Sequence, residues 1–135
     1  RIIQLLFLIL NMFRSILIVG LGGAIGAALR YIINILTYKF QFSEIPIATF
    51  LVNIIGCFLA GLFLNLIEKN IQLSDDLRLL LITGFCGGLT TFSALTIEEY
   101  SFISNKQFLL ASVYLGVTVT LGLVAFWLGS LWFKS

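Results

Sequence analysis

Residues 84–93 read GFCGGLTTFS, and this stretch decides the fold because it lies in the middle of a long apolar run. Three glycines within five positions, followed by two adjacent threonines, lower the tendency to form a continuous helix. In hydrocarbon, a backbone group freed from a helix finds no water, so a break persists only where protein or an ion satisfies it. Broken helices at membrane depth commonly bind ions and substrates. The sequence therefore predicts a broken membrane-spanning helix with a functional site at the break.

The composition is typical of an integral membrane protein. Of the 135 residues, 60% are hydrophobic and 10% are charged, whereas a soluble domain carries roughly a quarter charged residues. The chain therefore has too few charges to cover a water-facing surface. Cys57 and Cys86 lie far apart in apolar runs and match no zinc, haem or disulfide pattern, so we interpret them as packing residues. The net charge of +2 is small and scattered, which argues against a nucleic-acid partner.

Hydropathy predicts an all-α membrane protein with four spans and short loops, in which the third helix is broken in mid-membrane. Each span exceeds the roughly 20 residues needed to cross a bilayer. Pro46, with Ser43 as a cap, suits the start of the second helix. The run Ser74-Asp75-Asp76 suits the start of the third. The predicted spans are residues 13–38, 47–67, 77–102 and 108–133.

The amino-terminal residues indicate where the natural protein starts. The sequence begins with Arg1, and its only methionine is Met12. We predict that Met12 is the natural start and that residues 1–11 are an upstream or non-native extension. Residues 12–135 then form a single four-helix transmembrane domain.

Basic residues are nearly balanced across the predicted membrane. Counted from Met12, four lie on the side of the termini and three on the other side. The positive-inside rule needs a larger bias to fix one orientation. The chain is therefore compatible with insertion in both orientations, which would permit an antiparallel dimer. The two groups are Arg14, Lys69, Arg78 and Lys134 against Arg30, Lys39 and Lys106.

Few polar side chains lie inside the predicted spans, and each has two interpretations. Asn53 can clamp a neighbouring helix by hydrogen bonding, or it can donate its amide N–H groups to a permeating anion. Arg30 can extend to the interface, or it can attract anions into a vestibule. Phe92 is ordinarily a core residue, but its ring edge carries partial positive charge and can face an anion.

The other candidate residues lie on single helix faces. Tyr114 and Thr118 are four residues apart, so they form a candidate polar track, unless each hydroxyl bonds its own helix backbone. Leu95 shares a face with Phe92, and Ser93 lies on the adjacent face. The predicted spans contain no carboxylate pair, nucleophile–base pair or metal cluster in mid-membrane. The sequence therefore favours transport over catalysis.

Three motifs, one in each of the first three spans, carry a resemblance to a known family. They read GGAIGAALRY at 22–31, TFLVNIIG at 49–56 and GFCGGLTTFS at 84–93. In order and spacing they resemble the signature motifs of the Fluc (CrcB) fluoride channel family. The similarity extends over residues 12–135.

The resemblance implies a channel that passively exports cytoplasmic fluoride across the cell membrane. It implies an antiparallel, dual-topology homodimer in membrane lipid, with two pores lined by both subunits. It also implies a central sodium ion held by the backbone carbonyls of Gly87 and Thr90 at two crossing helix breaks. The predicted fluoride path comprises Asn53, Phe92, Ser93, Leu95, Tyr114 and Thr118, and the predicted vestibule contains Arg30 and Glu98.

The chain departs from the family pattern after Ser93. The family usually has a second pore phenylalanine where this chain has Leu95, and often a threonine where it has Ala94. Leucine offers no polarised ring edge, so either conduction tolerates it, the pore is weakened, or the chain is one half of a heterodimer. Outside the family, the alternative is a small dual-topology proton-coupled exporter. Such an exporter needs a carboxylate inside the membrane, for which Glu98 and Glu99 are the deepest candidates.

Overall fold

The chain spans a membrane four times. The computed structural model describes residues 1–38, 45–69 and 75–132, and these residues are helical apart from short connections. Four stretches within them are long and apolar enough to cross a bilayer. The predicted four-span architecture is therefore confirmed, and the chain is a multi-pass membrane protein. The stretches are Ile2–Tyr38, Ile47–Lys69, Asp75–Ser104 and Phe108–Leu131.

The first two spans are continuous helices, α1 (Ile2–Tyr38) and α2 (Ile47–Lys69). With 37 residues, α1 is about 55 Å long at 1.5 Å per residue, which exceeds the roughly 30 Å of bilayer hydrocarbon. It passes through Met12 without interruption, and the position of the natural start stays a prediction. Pro46 immediately precedes α2, and its carbonyl accepts the Phe50 N–H at 3.3 Å. The predicted cap residue Ser43 lies outside the described residues, as do Lys39, Ser74 and Lys134.

The third span consists of several short elements. A helical turn, α3, leads into a π-helical segment, which continues as a second short turn, α4. After two non-helical residues the chain re-enters a helix, α5, and the fourth span, α6, follows a tight turn. The bounds are Asp75–Arg78 for α3, Leu79–Cys86 for the π-helical segment, Gly87–Leu89 for α4, Phe92–Ser104 for α5 and Phe108–Leu131 for α6.

The helix break lies inside the predicted stretch 84–93, at the threonines. Thr90 (φ −75°, ψ 155°) and Thr91 (φ −149°, ψ 114°) adopt extended backbone. The glycines before them are helical; Gly87, for example, has φ −64° and ψ −34°. The predicted break is therefore confirmed, but the glycines serve another purpose.

The glycines of the third span allow its backbone to contact the backbone of α1. A Cβ built on Gly84 would lie 2.7 Å from the Val19 carbonyl oxygen of α1, and one on Gly88 would lie 2.9 Å from the Cα of Gly23. From the other side, Gly22 and Gly26 are buried against the third span. Small residues let membrane helices approach to backbone contact. Gly22 and Gly26 thus form the face of α1 that packs against the third span.

A second glycine contact joins α2 to α6. A Cβ on Gly61 would lie 3.0 Å from the Ser130 nitrogen, and one on Gly129 would lie 3.0 Å from the Leu62 nitrogen. The chain is therefore built from two tightly packed pairs, α1 with the third span and α2 with α6. The two free cysteines, Cys57 and Cys86, lie among these helices.

We predict that Gly26→Ala disrupts the pairing of α1 with the third span. The new Cβ would lie 2.7 Å from the Leu89 nitrogen, and backbone atoms cannot rotate away. Overpacking of this kind destabilises by about 1–3 kcal/mol, so the midpoint of thermal unfolding in detergent should fall. The matched control is Gly116→Ala, because nothing lies within 4 Å of that position. An equal loss of stability in both variants would contradict the prediction.

Candidate functional site

The side chain of Asn53 bonds the main chain at the helix break. In a continuous helix the Thr91 N–H would donate to the Gly87 carbonyl. Here it donates to Asn53 Oδ1 at 2.8 Å, while Asn53 Nδ2 donates to the Thr91 carbonyl at 3.3 Å. One carboxamide therefore binds both main-chain polar groups of Thr91. The Gly87 carbonyl consequently loses its usual helical donor.

Thr91 also begins α5 as its N-cap. Its Oγ1 accepts the Ala94 N–H at 3.2 Å and lies 3.2 Å from Ser93 Oγ. In a continuous helix that N–H would donate to the Thr90 carbonyl. The Thr90 carbonyl instead accepts a hydrogen bond from the Arg30 guanidinium at 3.3 Å. Side chains thus bind the Thr91 N–H, the Ala94 N–H and the Thr90 carbonyl, all of which have lost their helical partners.

These contacts help to decide between the two interpretations given above for Asn53 and for Arg30. Asn53 forms the helix clamp, and since a carboxamide nitrogen carries two N–H donors, one donor is left beyond the bond to Thr91. Arg30 is partly buried and bonds the break rather than only reaching for the interface. Both residues therefore act on the same two-residue segment from two different helices.

A cavity of about 280 Å³ opens on the Arg30 side of the break. Arg30 is its only charged lining residue among those the structure describes, so the cavity has positive potential and attracts anions. The vestibule role of Arg30 stays a prediction, and Ser93, a predicted residue of the fluoride path, lines this cavity as well. The polar lining residues are Arg30, Asn34, Thr49, Thr91 and Ser93.

A more apolar groove of about 380 Å³ lies beside the break, and Asn53, Phe92, Leu95 and Thr118 all line it. The Phe92 side chain is 79% exposed. Thr118 is only 5% exposed, and its hydroxyl has no hydrogen-bond partner within the described part of the chain. The alternative that this hydroxyl bonds its own helix is therefore wrong. An unpaired buried hydroxyl is unfavourable unless a ligand or water satisfies it.

The predicted polar track is divided between two environments. Whereas Thr118 lines the groove, the Tyr114 hydroxyl donates to Glu98 Oε2 at 2.9 Å. The Thr49 hydroxyl donates to Glu98 Oε1. Glu98 thus joins α2, α5 and α6 through two hydroxyl donors, and Thr49 also lines the Arg30 cavity.

Leu95 has a dual environment. It lines the groove, yet it is only 5% exposed and packs in the core cluster with Phe102, Ala111 and Tyr114. The leucine therefore belongs largely to the interior of the helix bundle. Phe92, three residues earlier, points out of it.

Sequence reasoning missed two residues of the site, Thr91 and Thr49. Thr91 directly precedes α5, and threonine before a helix is a recognised capping signal. Thr49 lies one turn before Asn53 on the same face of α2, a spacing that could have indicated it. The capping signal identifies the Ala94 N–H, three residues later, as the partner of Thr91. The partner of Thr49 has no such local signal, because Glu98 is brought close only by the fold.

The chain is similar in sequence to known proteins that share one description. Residues 17–130 match the family described as CrcB-like protein, Camphor Resistance (CrcB). A fluoride-specific ion channel FluC of Flavobacterium psychrophilum is 42% identical over 116 residues, covering 86% of this chain and 94% of the relative. One from Azobacteroides pseudotrichonymphae is 36% identical over 118 residues, covering 87% and 94%. One from Prosthecochloris aestuarii is 42% identical over 117 residues, covering 87% and 91%.

We predict that Thr91→Val frays the start of α5. Valine keeps the shape but removes the N-cap oxygen, a loss that costs about 1 kcal/mol. Amide hydrogen exchange in the first turn of α5 should accelerate, and Thr91→Ser should restore protection. The matched control is Thr96→Val, because the Thr96 hydroxyl bonds the Phe92 carbonyl of its own helix at 2.9 Å. If both valine variants exchange alike, Thr91 is not the cap.

Proposed function

Since this chain belongs to the CrcB family, we propose that it is a fluoride-selective channel that passively exports fluoride from the cytoplasm. The observation that carries the proposal is the groove beside the break. There the buried, unpaired hydroxyl of Thr118 lines the same space as the Asn53 amide and the exposed Phe92 ring. The names of the relatives support fluoride as the conducted ion.

The proposed mechanism replaces the water around fluoride with a few fixed donors. The Thr118 hydroxyl and the second amide N–H of Asn53 can each donate to an anion. The ring edge of Phe92 adds a weaker positive partner. The positive Arg30 cavity supplies anions to this path. Selectivity over the larger chloride ion comes from pore width and donor geometry.

The complete pore requires a second subunit. In one subunit the groove is open and Phe92 projects from it with most of its surface exposed. A second copy packed antiparallel would enclose the groove and bury that ring. The near balance of basic residues between the two sides supports insertion in both orientations. We therefore propose an antiparallel homodimer with two equivalent pores.

A sodium ion at the dimer centre suits the chemistry of the break. The carbonyls of Gly87 and Thr90 have both lost their helical N–H donors. Main-chain carbonyl oxygens are hard ligands of the kind that bind such cations. When bound, the ion would neutralise oxygens that lipid cannot satisfy. At Thr90 it would share the carbonyl with Arg30.

One observation supports a second candidate function, that of a subunit in a heterodimer. Leu95 lines the groove where the family usually carries a ring, and it is held in the core of its own subunit. A pore that needed two rings would then depend on a partner of different sequence. The exporter alternative needs a free carboxylate; Glu98 is engaged by two hydroxyl donors, whereas Glu99 Oε1 is buried without a hydrogen-bond partner among the described residues.

We predict fast fluoride efflux, without chloride efflux, from liposomes that contain this chain alone. A hydrogen bond to an ion contributes about 1.5–3 kcal/mol, so Thr118→Val should slow fluoride flux roughly 10- to 100-fold. Phe92→Ile and Asn53→Asp should also slow it. The control is Thr120→Val, because Thr120 is exposed on the same helix outside the groove.

Three results would contradict this prediction in different ways. Equal flux in the Thr118 and Thr120 variants would remove the groove from the pathway. A folded chain with no flux alone, but with flux after addition of a second homologue, would establish the heterodimer. Proton-dependent flux that saturates at transporter speed would support the exporter.

We predict that a single protein binder blocks the channel from either side of a bilayer. An antiparallel dimer presents the same surfaces to both sides, so saturating binder on one side should block every channel. A parallel dimer inserted at random would lose only about half of its current, because half of the channels face away. Electrical recording from planar bilayers with binder added to one chamber distinguishes the two arrangements.

A further inference from the structure

We propose that Asn53 is a positioning residue that keeps the third span broken. Its carboxamide holds Thr91 in the extended conformation and so releases the Gly87 carbonyl from helical bonding. That the released Gly87 carbonyl binds a cation rests on the sodium site proposed above. The positioning of Thr91 rests only on the observed hydrogen bonds.

The geometry of the carboxamide matches an extended residue. In extended backbone, the N–H and C=O of one residue point to the same side, as in a hydrogen-bonded pair of a β-ladder. In a helix the two groups point in opposite directions along the axis. Thr91, with φ −149° and ψ 114°, is extended. One amide side chain, with one donor and one acceptor, can therefore satisfy Thr91 only while the break persists.

Asn53 is itself fixed against the break. Val52, its neighbour on α2, is fully buried. A Cβ on Gly56, less than one turn further along α2, would collide with the methyl group of Thr90. The helix thus lies so close to the break that the short asparagine side chain reaches the main chain of Thr91.

The clamp links two parts of the site. Without Asn53, the Thr91 N–H would turn back to the Gly87 carbonyl or lose its partner, and either change alters the extended segment. The same carboxamide lines the groove with Phe92 and Thr118. A bond to Thr91 also fixes the direction of the remaining N–H. Asn53 therefore connects the fluoride path to the carbonyls of the break.

The test compares three variants of the full-length protein. Asn53→Leu removes both bonds to Thr91. Asn53→Asp keeps an acceptor for the Thr91 N–H and removes the amide donors. The matched control is Asn65→Leu, because Asn65 is a second amide on α2, only 9% exposed, whose Oδ1 has no partner among the described residues.

The first readout is the ¹³C chemical shift of Thr91 in threonine-labelled protein in lipid. The wild type, Asn53→Asp and Asn65→Leu should show extended-backbone shifts. Asn53→Leu should move the Thr91 shifts toward helical or random-coil values. Wild-type shifts in Asn53→Leu would overturn the proposal.

The second readout is the rise in thermal stability when sodium replaces N-methylglucamine. We expect this rise in the wild type, Asn53→Asp and Asn65→Leu, and its loss in Asn53→Leu. A retained sodium effect in Asn53→Leu would overturn the link to the cation. A wild type without any sodium effect, but with Thr91 shifts that respond to Asn53→Leu, would support the clamp and refute the sodium site. Fluoride flux lost in Asn53→Asp, with its sodium effect retained, would separate the anion-donating role from the positioning role.

Discussion

The structure depends on satisfying backbone groups where no water can reach them. At Thr90 and Thr91 the third span leaves the helix, and an unsatisfied N–H or C=O in hydrocarbon is strongly unfavourable. Three different elements supply the replacements. Asn53 of α2 binds Thr91, Arg30 of α1 binds Thr90, and the Thr91 hydroxyl binds the start of α5. The break is therefore stabilised by contacts from α1 and α2 as well as by its local sequence.

Short side chains can reach a backbone only if the helices lie close together, and the glycines provide that proximity. Gly22 and Gly26 bring α1 against the third span, and Gly56 brings α2 against Thr90. The same approach leaves space on both sides of the break, the Arg30 cavity and the groove with Thr118. Close packing, compensation of the break and the proposed ion path are thus consequences of one arrangement.

The sequence predicted the four spans and the broken third helix because composition and hydropathy act locally. It did not show whether the glycines or the threonines break the helix, because both residue types have low helix propensity. The helical role of Gly84 and Gly88 depends on the α1 backbone that faces them. The sequence identified Asn53 and Arg30 as polar residues in apolar spans, but their partners depend on tertiary packing. Tyr114 and Thr118 share a helix face, yet only the position of Glu98 explains why Tyr114 bonds a carboxylate and Thr118 does not.

The effect of leucine at position 95 depends on how strongly each lining group of the groove can interact with an anion. A ring edge offers an anion only a partial positive charge, whereas a hydrogen bond to a charged group contributes about 1.5–3 kcal/mol. Replacing a ring by Leu95 therefore removes the weaker kind of partner from the groove. The stronger donors, the Thr118 hydroxyl and the free N–H of Asn53, remain beside the exposed ring of Phe92. Leu95 also fills the core between α5 and α6, so the subunit keeps its packing. The balance of these terms favours a conducting chain that relies on its hydrogen-bond donors more than on paired rings.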